Sequence, residues 1–273
     1  MRLCAFADEA SVDLQGQIDA LLRNNIEMLE IRGVDGQNIK EIPASKIQKI
    51  ANELSANNIK VWSMGSPCGK DDPNSSFDAQ LDTFKRICES AQILGATRIR
   101  LFSFFTQSEK DALCRLEAFL KATPRGIVLC HENEKGIFGY NTENCEIIHK
   151  ALPEIKAVFD PANFVQCDVD TRKAWAVLSK YVDYMHIKDA LEDKRVVRAG
   201  YGIGNVEYLV NEYAKNGGEV LTLEPHLMEF CGLAELENGE SVSGIATYKT
   251  TDEAFDAGVC ALKDILIRGG LWK

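Results

Sequence analysis

Glu132, Asp160, His186 and Glu224 carry the side chains that hold a hard divalent cation, and each stands at the end of a short apolar run. GIVLC leads into His131-Glu132-Asn133-Glu134, and IKAVF into Asp160-Pro161-Ala162-Asn163. VDYMHIKD carries His186 with Lys188 and Asp189, and EVLTLEPH carries Glu224 with His226. The four candidates are separated by 28, 26 and 38 residues, each about one strand plus one helix. Three carboxylates and an imidazole converging on one point would repel one another without a cation. Oxygen ligands with one nitrogen and no thiolate suit Mn²⁺, Mg²⁺, Co²⁺ or Zn²⁺. The expectation is one divalent metal ion, with Mn²⁺ first among these.

Such convergence needs a scaffold that brings strand ends together. Apolar runs recur at Leu3–Ala7, Met28–Ile31, Lys60–Met64, Arg98–Phe102, Gly126–Cys130, Ile155–Phe159, Val182–Ile187 and Val220–Leu223. Between and after them lie segments of helical period: Leu14–Arg23, Ala44–Asn57, Phe77–Leu94, Glu109–Ala122, Thr142–Ala151, Thr171–Leu178, Val206–Lys215 and Asp252–Ile267. Several runs are apolar on both faces, as parallel strands covered on both sides require. Eight strand–helix units predict an α/β fold, a single (β/α)8 TIM barrel over residues 1–273, with its site at the C-terminal ends of the strands. A doubly wound open sheet would want a glycine-rich phosphate turn after the first strand, and CAFADEAS has none. Gly200-x-Gly202-x-Gly204 comes late and lacks dinucleotide spacing, so it reads as a loop. Met228–Thr251 is a long insertion, read as a lid or subunit contact.

The chain has 273 residues, 45% hydrophobic and 26% charged, which is globular composition. Its net charge of −10 argues against nucleic-acid and anionic-membrane partners, which need clustered Lys and Arg. The nine cysteines are scattered with no CxxC pair, so neither a zinc ribbon nor a disulfide framework is indicated. Asp8 and Glu9 interrupt the N-terminus before a signal-peptide core could form, and no apolar run reaches the ~18 residues of a membrane helix. A soluble, reduced, cytoplasmic protein is expected.

The segments CAFADEAS, MLEIRG, GSPCGK, RIRLFSF, CHENEKGIFG, VFDPANF, MHIKDA and TLEPH resemble the xylose-isomerase-like barrel superfamily, in particular its sugar phosphate isomerase/epimerase members. The resemblance runs from residue 3 to about residue 226. It implies Glu132, Asp160, His186 and Glu224 as metal ligands, and Glu132 and Glu224 as the catalytic acid/base pair. The implied activity is isomerisation or epimerisation of a small sugar or sugar phosphate, by proton transfer through a metal-stabilised enediolate. One position departs: ketose 3-epimerases of this superfamily have a histidine three residues after the metal-binding Asp, where this chain has Asn163. Asparagine hydrogen-bonds but does not exchange protons near neutral pH. An inosose-type dehydratase, a metal-dependent lyase on the same scaffold, is therefore the alternative, followed by a non-catalytic sugar-binding barrel. The multi-zinc DNA-repair branch needs more histidines than the four present.

Asn163, Lys188 and His226, two or three residues from a ligand candidate, are expected to line the pocket and meet substrate oxygens. Lys70, in the loop after the third run, is a further substrate-binding candidate. Arg198, beside Arg195, sits after the seventh strand, where barrels often bind phosphate. Glu134 reads as a supporting carboxylate or a helix-end charge. His131 is expected to pack against a helix because neighbours on a strand alternate, and His149 to lie on the surface. Partners are expected to be a small carbohydrate and, where the chain self-associates, a second copy.

Overall fold

Alternation of inward and outward side chains builds the barrel and sets what its interior contains. The computed structural model describes residues 1–70, 75–231, 233 and 248–272. Eight parallel strands close on themselves: β1 (Arg2–Ala5), β2 (Met28–Ile31), β3 (Lys60–Gly65), β4 (Arg98–Leu101), β5 (Val128–Glu132), β6 (Lys156–Phe159), β7 (Val182–Ile187) and β8 (Val220–Leu223). They follow chain order around the barrel, β8 pairing with β1 (Arg2 opposite Val220), as the eightfold alternation in the sequence predicts. The last expected helix runs Thr251–Arg268, and the Met228–Thr251 insertion falls largely outside the described residues.

Helices start where a side chain can take up the first free N–H groups. Asp13, Ser76, Ser108, Asn141 and Thr250 each accept a backbone N–H three residues on, at the heads of α1 (Leu14–Arg23), α3 (Phe77–Leu94), α4 (Glu109–Ala122), α5 (Thr142–Ala151) and α9 (Thr251–Arg268). Between them, α2 spans Ala44–Ala56, α7 Thr171–Leu178 and α8 Val206–Lys215. Their apolar stripes, such as Phe84, Ile87, Ala91 and Leu94 of α3, are buried, and the outward strand residues join them in one core. The rings of Phe84 and Phe119 stack 4.5 Å apart between α3 and α4.

Inside the barrel, Cys4, Met28 and Val220 form one apolar layer with Trp62, and Cys130, Val158 and Tyr184 another. Two residues further along the same strands stand Phe6, Glu30, Glu132, Asp160, His186 and Thr222. The period of two thus sets Glu30, Glu132, Asp160, His186 and Thr222 one step beyond the inward residues of these two layers.

Three local features were not read from the sequence. Asp160 begins a short helix, α6 (Pro161–Gln166), its Oδ1 accepting from Asn163 N at 2.9 Å. Two antiparallel ribbons, Gly33–Val34 with Gln37–Asn38 and Asp189–Ala190 with Val196–Val197, rise from β2 and β7. The glycine-rich loop after the second ribbon wraps the Asp189 carboxylate, which accepts N–H groups from Ala190, Gly200, Gly202 and Gly204 at 2.9–3.0 Å. A Cβ on Gly202 would stand 2.3 Å from Ala190 O, and one on Gly204 2.6 Å from Asp189 Oδ1, so both positions need glycine. His149 corrects the surface expectation: it is 1% exposed, its Nδ1 lies 3.0 Å from Ile155 O, and its ring stacks on Tyr181. The Ile155 carbonyl, in the connection between α5 and β6, meets a ring nitrogen, and that draws the histidine inward.

Candidate metal centre in the barrel mouth

The structure brings one ligand atom from each of Glu132, Asp160, His186 and Glu224 within 4.8 Å of one another, all four residues buried. His186 Nδ1 lies 3.1 Å from Glu132 Oε1 and 3.3 Å from Glu224 Oε2. Asp160 Oδ2, Glu224 Oε2 and His186 Nδ1 are buried with no hydrogen-bond partner. Buried polar atoms are nearly always satisfied, so three orphans from three strands aimed at one point fit a shared cation.

Sequence reasoning missed the groups that hold this set. Glu30 on β2 is fully buried. Its Oε1 accepts from Tyr184 Oη (2.9 Å) and Ser63 Oγ (3.2 Å), and its Oε2 from Thr222 Oγ1 (3.0 Å). That same Oε2 lies 3.1 Å from His186 Nε2, so the imidazole donates there and turns Nδ1 to the cluster. Arg100 Nε sits 3.1 Å from Glu132 Oε2, and Arg32 donates to Glu224 Oε1 at 2.8 Å. Arg32 also donates to both oxygens of Asp8 and to Glu9 Oε1. Each glutamate thus has one oxygen held by a guanidinium and one turned toward His186. Phe6 supports both arginines, their charges 4.3 and 5.7 Å from its ring, while its edge meets His186. The signal that could have found them is the period of two, since Glu30 follows Met28, Arg32 follows Glu30 and Arg100 follows Arg98 on the inward face. An isolated arginine or glutamate in a strand otherwise gave no signal.

Lys188 Nζ is 3.4 Å from Asp160 Oδ2 and 3.7 Å from Glu224 Oε2. His226, with a left-handed φ of 44°, donates its backbone N–H to Glu9 and places Nε2 3.3 Å from Glu224 Oε1. Asn163 also reaches the mouth, but its Nδ2 donates to Glu132 Oε1 (3.1 Å) and Asn133 O (2.9 Å). One amide hydrogen therefore goes to Glu132 and the other to the Asn133 carbonyl, and only Oδ1 is left for the substrate contact expected of this residue. Lys70 pairs with Glu134 at 3.2 Å and lies over Phe102. Arg198 stacks on the exposed Tyr201 and, among the described residues, makes no contact with the cluster, so the structure does not bring it to the site. His131 faces outward, 5.7 Å from the His149 ring.

Charge interplay sets the protonation states. Burial pushes the Glu132 and Glu224 carboxyls up, but His186 and Arg100 around the first, and Lys188 and His226 around the second, hold both below the usual range. Burial opposes a charge on His186, yet Glu132 and Glu30 raise it well above the ordinary imidazole value. Burial likewise opposes charge on His226, and Glu9 raises it to about 9. Asp160 is raised to about 7, chiefly by burial, with Lys188 opposing. Six buried carboxylates (Asp8, Glu9, Glu30, Glu132, Asp160, Glu224) face three buried Lys and Arg cations (Arg32, Arg100, Lys188). A divalent ion with a neutral His186 ligand and a cationic His226 balances that deficit of three.

A family model described as xylose isomerase-like TIM barrel matches residues 18–244. No curated protein sequence matches the chain significantly. Among solved structures, the IOLI protein with a bound zinc atom superposes with a TM-score of 0.75 at 16% identity, covering 98% of this chain and 99% of that one. The D-allulose 3-epimerase from Methylomonas sp. in complex with D-allulose gives 0.75 at 14% identity, covering 98% and 97%. The probable 3-DHS dehydratase AsbF of Bacillus anthracis, involved in petrobactin synthesis, gives 0.72 at 12% identity, covering 96% and 99%. At these identities the likeness is one of fold.

Proposed function

The chain belongs to the xylose isomerase-like TIM barrel family, and from that premise we propose that it is a divalent-metal-dependent isomerase or epimerase of a small sugar or sugar phosphate. The observation that carries the reading is the convergence of four buried ligand atoms, three of them without hydrogen-bond partners. Glu132, Asp160, His186 and Glu224 would hold the ion, which supplies Lewis-acid polarisation of a substrate carbonyl.

The remaining work belongs to the chain's own groups. Glu132 and Glu224 are both held as carboxylates, so either can take a proton from the carbon next to the carbonyl; the proton returned comes from that newly formed acid, or from its counterpart once that carboxylate has taken a proton from solvent. Arg100 and Arg32 fix the outer oxygens of the two carboxylates, leaving the inner oxygens to reach the substrate. Lys188, beside Asp160 and Glu224, places an ammonium where an oxygen gains negative charge as the proton leaves. His226 remains cationic at neutral pH and can donate to a substrate oxygen from the Glu9 side. Wrapped by arginines, lysine and aromatic rings, the mouth lets these charges act with little competing water.

A dehydratase is the second reading, and Asn163 favours it. Its amide is committed to Glu132 and Asn133, so it supplies no proton-exchanging group at the substrate's far carbon. Both readings begin with loss of the same carbon-bound proton. The deciding experiment loads the protein with Mn²⁺, Co²⁺ or Zn²⁺ and incubates it with ketoses, inososes and their phosphates in deuterated solvent. Deuterium in a product of unchanged skeleton supports the isomerase or epimerase, and a product lighter by one water supports the lyase. No exchange with any of them, at full metal occupancy, rejects both and leaves the non-catalytic sugar-binding barrel.

A further inference from the structure

A cavity of about 270 Å³ opens beside the cluster, over the ends of β1 to β4. Its lining includes Asp8 and Arg32, Gln37 and Asn38 of the first ribbon, Lys40, and Lys70 with Phe102. Two of these residues lead straight to the candidate acid/base pair. Arg32 holds Glu224, and Phe102 lies 4.4 Å from the guanidinium that holds Glu132. A substrate reacting between the two glutamates would have this space beside it, past Arg32 and Phe102. The volume falls just below the range that takes drug-sized ligands, roughly 300–1,000 Å³, so it suits the remainder of one small carbohydrate.

The charges of the wall are unequal in their commitments. Arg32 is spent on Asp8, Glu9 and Glu224, and Lys70 on Glu134. Lys40 is half-buried and makes no side-chain ion pair among the described residues, while Glu41 beside it is exposed to solvent. The place where such barrels usually receive an anion, the loops after strands seven and eight, is taken in part by the protein itself. Backbone N–H groups of Gly200, Gly202 and Gly204, which could cradle a phosphate, all point at the Asp189 carboxylate. An anionic substrate group has to be read elsewhere, and the uncommitted cation at the mouth is on the opposite side.

Resting on the proposed function, we infer that the substrate carries a carboxylate or phosphate at the end remote from its reacting carbonyl, and that Lys40 receives it in this cavity, with Lys70 at its side. Gln37 and Asn38 supply hydrogen bonds for hydroxyls in between. Charge-assisted hydrogen bonds are the strong ones, so the preference should be visible as a ratio of specificities.

Two measurements test this. In the first, metal-free wild-type protein and Lys40→Ala are titrated calorimetrically with inorganic phosphate, malonate and the neutral polyol erythritol. Binding of either anion that Lys40→Ala weakens by ~10-fold or more supports the inference, and phosphate against malonate separates the two sources of charge. Equal anion binding by the variant overturns it. In the second, the metal-loaded protein is assayed for deuterium incorporation with a neutral ketose, the matching ketose phosphate and a matching keto acid. The expected result is a kcat/KM ~10–100-fold higher for one charged substrate, lost through KM in Lys40→Ala and Lys40→Glu. Equal or better turnover of the neutral ketose overturns the inference and leaves the proposed function standing. Absence of exchange with all three removes the reading on which it rests.

Discussion

Replacing Glu30 by glutamine should weaken metal binding from two bonds away. The carboxylate takes four donors on two oxygens: Tyr184 and Ser63 on one, Thr222 and His186 on the other. An amide has one acceptor oxygen, so its NH2 faces either Thr222 with the His186 N–H, which has no lone pair to offer, or the Tyr184 and Ser63 hydroxyls, whose own hydrogens then lose their acceptor. Each donor left without an acceptor costs about 1–3 kcal/mol, giving a loss of roughly 2–6 kcal/mol in folding stability for the pair. The imidazole also loses the bond that holds Nε2–H and directs Nδ1 at the cluster. Changes to such supporting partners typically cost 10–100-fold in metal affinity, about 1.4–2.7 kcal/mol. The assay is competition for Zn²⁺ against a chromophoric chelator, with thermal melts of the metal-free protein alongside. Tyr184→Phe is the control, because it removes a donor from the other oxygen and leaves the His186 contact in place. It should lower stability and shift the Zn²⁺ affinity by less than ~3-fold, at the small end for a distant supporting group. Wild-type affinity in Glu30→Gln, or an equal loss in Tyr184→Phe, would refute the reasoning.

Glutamine at position 132 or 224 should reduce turnover by more than the ~10²–10⁴-fold typical of acid–base help, because metal binding weakens as well, while substrate affinity measured calorimetrically changes much less. Solvent-deuterium exchange into substrate should vanish in the variant lacking the base and persist slowly in the other; near-normal turnover in both would move the chemistry to other residues. Between pH 6.5 and 9 the metal-free protein should lose stability as pH rises. His226 is raised to about 9 when folded, so its contribution is complete below the unfolded value near 6.5 and disappears through 9, at most about 3 kcal/mol; His186 has the same sign, and Asp160, raised to about 7, adds to the loss below that pH. Metal affinity should rise across the same window as His186 gives up its proton, so the increase in melting temperature produced by saturating Zn²⁺ should be larger at pH 9 than at 6.5; a metal-free melting curve flat with pH counts against these proton assignments. Asp189→Asn should cost about 2–5 kcal/mol by turning an NH2 toward glycine N–H groups, and Gly202→Ala should also destabilise, since its Cβ meets a backbone oxygen; unchanged melting temperatures in both would remove the structural role given to that loop.

The barrel was legible in the amino-acid order, because strand and helix periods are local properties and eight alternations leave few ways to close. That order also marked Glu132, Asp160, His186 and Glu224, since all four stand where an apolar strand run meets polar residues, and that boundary is visible without coordinates. Their convergence, with ligand atoms within 4.8 Å, comes from closure of the barrel, which sets residues 92 positions apart against one imidazole. Glu30, Arg32 and Arg100 became meaningful only there, because a buried charge takes its role from the charges facing it, and those come from other strands. Asn163 and Lys70 were expected at the mouth from their offsets in sequence, but hydrogen-bond and ion-pair partners decide what each side chain is free to do. His149 and the glycine loop show the same limit from the other direction. A histidine at a helix end is drawn inward by one carbonyl, and three glycines that resemble a phosphate turn instead enclose the chain's own aspartate. Period and composition are fixed by neighbours in sequence, whereas the satisfaction of a buried polar atom is settled by neighbours in space.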